Sequence, residues 1–225
     1  MALRFLPPVG HPDKSCYFVN RYRWKVIVTL QPDTQADQKR ARIIEGAMKV
    51  FLAYGFARTT MDDIARAADV SRPALYLVFK NKTDIYRAIA AMMLEASAET
   101  ARSALAAGGP FTRRMMDAIQ GAMISLIQQF QQSPHGDEIL DMKNNLAADL
   151  IADWRNRLAR HIADVIEEEA TRNGTDLAAR GLTSQALAQF LLDGLEGMKM
   201  RTTDPTEQTR AACSLVKVIE LALRP

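Results

Sequence analysis

Apolar side chains recur every three to four residues over most of this chain, the spacing of one face of an α-helix, and no stretch alternates as a strand would. From Gln38 to Tyr54 the repeat is Ile43, Ala47, Phe51 with Ile44 and Met48 beside it, and Gly55 supplies a helix end. A second, short repeat uses Met61, Ile64, Ala65 and Ala68; a third uses Leu75, Val78 and Phe79. Thr83 can cap a fourth helix running to about Ala107, where Gly108, Gly109 and Pro110 break the pattern. Beyond it the spacing predicts helices over Phe111 to about Gln132, Gly136 to Asn144, Leu146 to Arg172, Thr183 to Met200 and Pro205 to Leu223. The fold class is all-α. Residues 1–36 carry Pro7, Pro8, Pro12 and Pro32 and follow no period, so they read as a poorly ordered arm, either a contributor of phosphate contacts or a mere appendage.

The second and third repeats are too short to stand alone, and the residues between them specify a tight turn. Thr60 is an N-cap with an acid at N3, Asp63, the pattern of a capping box. Asp69 tolerates the left-handed backbone that a sharp turn needs. Ser71 then caps the next helix, and Pro73 in its first turn gives up an N–H that would have had no partner. Two short helices joined this way make a helix-turn-helix, which points to DNA. On the second helix Leu75, Val78 and Phe79 turn inward while Arg72, Tyr76 and Lys80 are spaced four apart outward. Arg can fork onto guanine, Tyr can bond a phosphate, and Lys offers a point charge. A merely solvated face would carry the same residue types; the capped turn in front favours the nucleic acid. Thr60, Ser71, Pro73, Ala74, Leu77 and Lys82 complete the set expected at the duplex, with Lys82 on a phosphate.

Charge sharpens this picture. The net +3 divides into +7 over residues 1–87 and −4 over the remainder, a basic end on an acidic body, which suits a protein presenting one face to polyphosphate. No segment reaches the ~18 apolar residues of a membrane span, and the start lacks a signal-peptide core, so the expected location is the cytoplasm. Cys16 and Cys213 are accordingly expected as reduced thiols. Three histidines, His11, His135 and His161, form no HExxH, and there is no paired-cysteine motif, phosphate loop or nucleophile elbow. No catalytic residue, metal ligand or cofactor site is expected, and the His161 and Asp164 pair reads as a solvated one.

The run Thr60, Ile64, Ala65, Ala68, Val70, Ser71, Leu75, Tyr76, Phe79 and Lys82, after a helix ending Tyr54, Gly55, Phe56, resembles the DNA-binding domain of tetracycline-repressor (TetR) family regulators. The likeness covers roughly Gln38 to Arg87. It departs from the usual pattern at Asp69, Pro73, Ala74, Leu77 and Val78, so no operator sequence is implied. What the resemblance implies is a homodimeric transcriptional regulator, a repressor in the first instance, that holds a palindromic double-stranded operator and leaves it when a small molecule enters a C-terminal pocket. An activator on the same fold is the alternative, and an all-helical enzyme or carrier a more distant one. The domains expected are the arm 1–36, a helix-turn-helix domain 37–87 and a ligand-binding and dimerisation domain 88–225.

Two surfaces of the last domain follow from that expectation. Met115, Met116, Ile119, Met123 and Ile127, with Trp154, Phe190 and Met198, are candidates to line the pocket, because Met adapts its shape to ligands. Ordinary core is the competing explanation. Leu191, Gly194, Leu195, Leu215, Val218, Ile219 and Ala222 on the last two helices are candidates for the dimer interface, with packing inside one chain as the alternative.

Overall fold

The computed structural model describes residues 34–131, 133–140 and 146–225, and all regular elements among them are helical. Three helices come first: α1 (Gln35–Tyr54), α2 (Met61–Ala67) and α3 (Arg72–Tyr76). α4 (Lys82–Ala106) follows, then α5 (Phe111–Ile119) and α6 (Ser125–Gln131), separated by a π-helical turn over Gln120–Ile124. The short α7 (Gly136–Leu140) leads to α8 (Ala148–Asn173), α9 (Ser184–Arg201) and α10 (Pro205–Ala222). Most of the arm expected over residues 1–36 lies outside the described residues, as does the expected extension of α7 toward Asn144.

Side-chain caps place most of the starts. Thr34, Thr60, Ser71, Asn81, Thr183 and Asp204 each accept a hydrogen bond from a backbone N–H in the first turn of the helix that follows. The cap of α4 is Asn81, taking the Asp84 N–H at 2.9 Å, and not Thr83 as the spacing predicts. A start two residues earlier brings Lys82 into the first turn.

Two apolar cores share α4. The first gathers Ile43, Ala47 and Phe51 of α1, Ile64 of α2, Leu75 of α3 and Phe79, with Ile85, Tyr86, Ile89 and Met93 of α4, and it takes in Phe130, Ile139 and Ala147 from later in the chain. The second joins Ala101 and Leu105 of α4 to α5, α8, α9 and α10. The boundary expected at 87/88 therefore falls within a helix that belongs to both cores, and the first core recruits side chains from beyond it. Arg87 adds a polar tie: its guanidinium forks onto the Asp149 carboxylate at 2.6 and 2.7 Å and donates to the Leu146 carbonyl at 2.7 Å. That fork holds the Asp149 carboxyl down at about 2.

Cys213 on α10 is engaged in a disulfide, not the reduced thiol expected; Cys16 lies outside the described residues. Among the described residues no helix is long and apolar enough to cross a membrane, and no cluster of His, Cys, Asp or Glu is placed to hold a metal.

Candidate nucleic-acid interface and the cavity behind it

Local chemistry presents α3 to solvent. Thr60 and Asp63 form the reciprocal box at the start of α2: the Asp63 N–H donates to Thr60 Oγ1 at 3.2 Å and the Thr60 N–H to Asp63 Oδ2 at 2.9 Å. The Thr60 donors hold the Asp63 carboxyl below its ordinary range, so the box is ionised at neutral pH. α2 then ends at Asp69, whose φ of 50° puts it in the left-handed region, the conformation its position in the turn predicts. Ser71 Oγ receives the Ala74 N–H at 3.3 Å, and the helix that follows is anchored by Leu75, fully buried, and Phe79.

The crossing of α1 under α2 depends on a residue that sequence reasoning missed. A Cβ on Gly46 would stand 2.8 Å from the backbone nitrogen of Ala68 and 2.9 Å from its Cα, a clash that no side-chain rotation can relieve. The available signal was a glycine inside an otherwise good helix, which usually marks a close backbone approach.

Arg72, Pro73, Tyr76, Leu77 and Lys80 are all exposed, and Leu77 is 85% so. Their arrangement differs from the expected stripe. α3 ends at Tyr76, so Lys80 lies beyond the helix in a bend, because Phe79 has turned into the core and Asn81 must open α4. Arg72 is not waiting free: its Nη1 donates to Asp62 Oδ2 at 3.1 Å, and its guanidinium carbon stands 5.8 Å from the Tyr76 ring centroid. Thr60 and Ser71 are exposed but engaged in caps, and Ala74 is half-buried.

Lys82 leaves the set. Its Nζ donates to the carbonyls of Phe56 at 2.9 Å, Ala57 at 3.0 Å and Thr59 at 3.0 Å, and sits 4.7 Å from the Phe56 ring centroid. An ammonium has three protons, and all three are used inside the protein, so Lys82 ties the α1–α2 loop to α4 and has no donor left for a phosphate.

Behind this domain lies a cavity of about 130 Å³ between α4, the π-helical turn, α6, α7, α8 and α9. Of the expected lining, Met123, Ile127 and Trp154 face it. Met115 and Ile119 line, again with Met123, only a second void of about 10 Å³, no larger than a water. Met198 is packed into the second core, Met116 lies against that core, and Phe190 is half exposed on the outside of α9. Helical spacing identified an apolar face on α5; it could not tell core from cavity. Among the residues missed are Tyr86, Ile89 and Met93 on α4 and Ile139 on α7, which belong to the first core as well. α7 and the turn before it are clipped to the helix-turn-helix domain at two points. Glu138 Oε2 accepts the Phe56 N–H at 3.0 Å while its other oxygen meets His135 Nδ1 at 2.8 Å, and the Tyr86 hydroxyl donates to the Ile139 carbonyl at 3.0 Å.

The expected dimer residues also need correction. Leu191, Leu195 and Ile219 lie at the centre of the second core, and Gly194 faces Leu215 of the same chain, whose methyls would stand 2.8 Å from a Cβ there. The close approach that the glycine permits is therefore between α9 and α10 of one chain. Ala222 is half-buried, and of the seven only Val218 is mostly exposed, at 52%. The large apolar groups left outside are Phe190 and Met200 on α9 and Val218 and Leu221, one turn apart, on α10.

Residues 43–89 match the model of the bacterial regulatory proteins of the tetR family. The match spans the helix-turn-helix and the start of α4. Likeness to curated TetR-family proteins is likewise partial: the transcriptional regulator TtgR of Pseudomonas putida is 41% identical over 69 residues, 31% of this chain and 33% of that protein. The chain thus spans about a third of the length of the curated relative it matches. The fold of the rest is that of solved TetR-family regulators. FadR, a fatty acid degradation regulator from Bacillus halodurans, superposes with a TM-score of 0.59 at 18% identity over 79% of this chain and 94% of its own. SmeT, the repressor of the Stenotrophomonas maltophilia multidrug efflux pump SmeDEF, does so with 0.56 at 16% over 81% and 89%.

Proposed function

We propose that this protein is a cytoplasmic, homodimeric transcriptional repressor that holds a palindromic operator through two copies of α3 and releases it when a small molecule occupies the cavity. One observation carries the ligand response. Tyr86, Ile89, Met93, Ile139 and Ala147 line the cavity and are packed in the same core as Ile64, Leu75 and Phe79 of the helix-turn-helix. A well-packed core transmits a change of shape rather than absorbing it. A molecule that displaced Ile139 or Tyr86 would strain the two clips that α7 makes on the DNA-binding domain.

The switch requires two states. In one, the α3 helices of the dimer are spaced near one turn of DNA, ~34–36 Å, or a multiple of it. The other has a different spacing and a higher affinity for the ligand, and the ligand weakens operator binding by the same factor by which the operator weakens ligand binding, typically about 1–3 kcal/mol. Phe190, Val218 and Leu221, apolar and exposed on the last two helices, supply the dimer contact. With this fold and these relatives, turnover of a substrate is not part of the reading.

Selection of random duplexes on the purified protein, followed by sequencing, is the test. A palindromic consensus supports the reading; an unpaired half-site would remove the dimer from it, and no enrichment at low salt would remove DNA altogether.

A further inference from the structure

Accepting the cavity as an effector site, its walls and mouth also specify what kind of molecule it takes. The interior is apolar: Ile89, Met93, Met123, Leu126, Ile127 and the indole of Trp154. The polar atoms in that wall are already engaged. Trp154 Nε1 donates to Ser97 Oγ at 3.1 Å, Ser97 Oγ donates to the Ala122 carbonyl in the π-helical turn at 2.7 Å, and the Tyr86 hydroxyl is on Ile139. A ligand body bearing hydrogen-bonding groups would find no partners and lose its own water. At about 130 Å³ the space suits one ring, since an apolar cavity of ~150 Å³ admits benzene.

Three charged side chains border the same space: Arg155, Glu196 and Lys199. Two of them satisfy each other. Arg155 donates to Glu196 at 3.2 Å and also to Asp193, so its charge is answered by two carboxylates. Lys199, half-buried one turn from Glu196 on α9, has no hydrogen-bond or ion-pair partner among the described residues. The four charges here balance, and Lys199 is the one of them left without a direct partner among the described residues.

We infer that the cavity takes a small amphipathic anion, an apolar body of about one ring carrying a single carboxylate-type group, with Lys199 holding the anion at the mouth. The body supplies affinity through burial, and Lys199 decides between charge types. An anion beside an unpartnered ammonium gains a charge-assisted bond; a cation there meets a like charge.

Three probes of one shape test this by calorimetric titration of the full chain: 4-phenylbutanoate, its neutral amide, and 4-phenylbutylamine. The carboxylate should bind about tenfold more tightly than the amide, ~1.4 kcal/mol, with the amine weakest. Lys199→Gln should abolish that preference while leaving the affinity for the amide unchanged, and Lys199→Arg should restore it. Equal affinities, a preference for the amine, a preference that survives Lys199→Gln, or no binding of any probe would each overturn the inference. Operator binding measured alongside separates this from the regulatory reading: a Lys199-dependent preference for the carboxylate with no effect on DNA would leave the ligand class standing and remove its role as effector.

Discussion

α3 and the α9–α10 pair are both surfaces that a periodic pattern marks out, yet one is oriented by its own neighbours in sequence and the other is not. Thr60, Asp69, Ser71 and Pro73 set the entry, turn and start of α3 within fourteen residues, so its inward and outward faces follow once Leu75 is buried. α9 and α10 have eighteen residues each and apolar positions on more than one side. Which side turns inward depends on α5 and α8, which come from elsewhere in the chain. Caps and turns act on adjacent backbone groups, whereas a choice between two apolar faces is settled by whatever else must be covered.

The sharpest way to break this contrast is to place charge on each face of α10. Ile219→Asp puts a carboxylate at a position with no exposure, and it should cost about 4 kcal/mol or more in denaturant unfolding. Val218→Asp, one residue away and half in solvent, should keep the fold and separate the dimer in sedimentation. If Val218→Asp unfolded the chain, or left a dimer intact, the outer face would not be the contact.

Gly46→Ala probes the other region. It should destabilise the protein by about 1–3 kcal/mol, through the clash with the Ala68 backbone, and weaken DNA binding with it. A neutral effect on the unfolding midpoint would mean that α1 and α2 part without cost.

On α3 itself the expected effects are paired. Arg72→Ala should lose about 1–3 kcal/mol per half-site and relax selection at one symmetric base pair, if the side chain reads guanine. Asp62→Asn removes the partner that holds Arg72 in the free protein, and should tighten operator binding by up to about 1 kcal/mol. Lys82→Ala should lower stability but leave the salt dependence of DNA affinity unchanged in the folded protein, the opposite of what a phosphate contact would give.

The smallest effect expected is on acid stability. Asp149 is held at about 2 in the fold, below its ordinary 3.8. Its contribution is therefore full above 3.8 and lost as pH falls toward 2, because the unfolded chain takes up the proton first. Asp149→Asn should flatten the decline in stability over that window. The difference should shrink with added salt, since the pair is exposed.

Much of the DNA-binding domain was legible because its signals are short-range. Asp69 in the left-handed region, the box at Thr60 and the cap at Ser71 all stand where spacing predicts. Lys82 was misread within the same stretch, since whether an ammonium faces a phosphate or a ring of carbonyls depends on where residues 56–59 fold back. The cavity was legible only in part. Met123, Ile127 and Trp154 announced an apolar face, but its other wall comes from Tyr86, Ile89 and Ile139, residues that read as plain core.

From the order of residues alone come the helices, their caps, the sharp turn before α3 and the basic end that carries it, because each rests on bonds and charges between near neighbours. The shared core of α4, the clips of Glu138 and Tyr86, the space beside Trp154 and the inward face of α10 come from packing between distant segments. Apolar burial is non-directional, so a hydrophobic stripe states that it will be covered without stating by what.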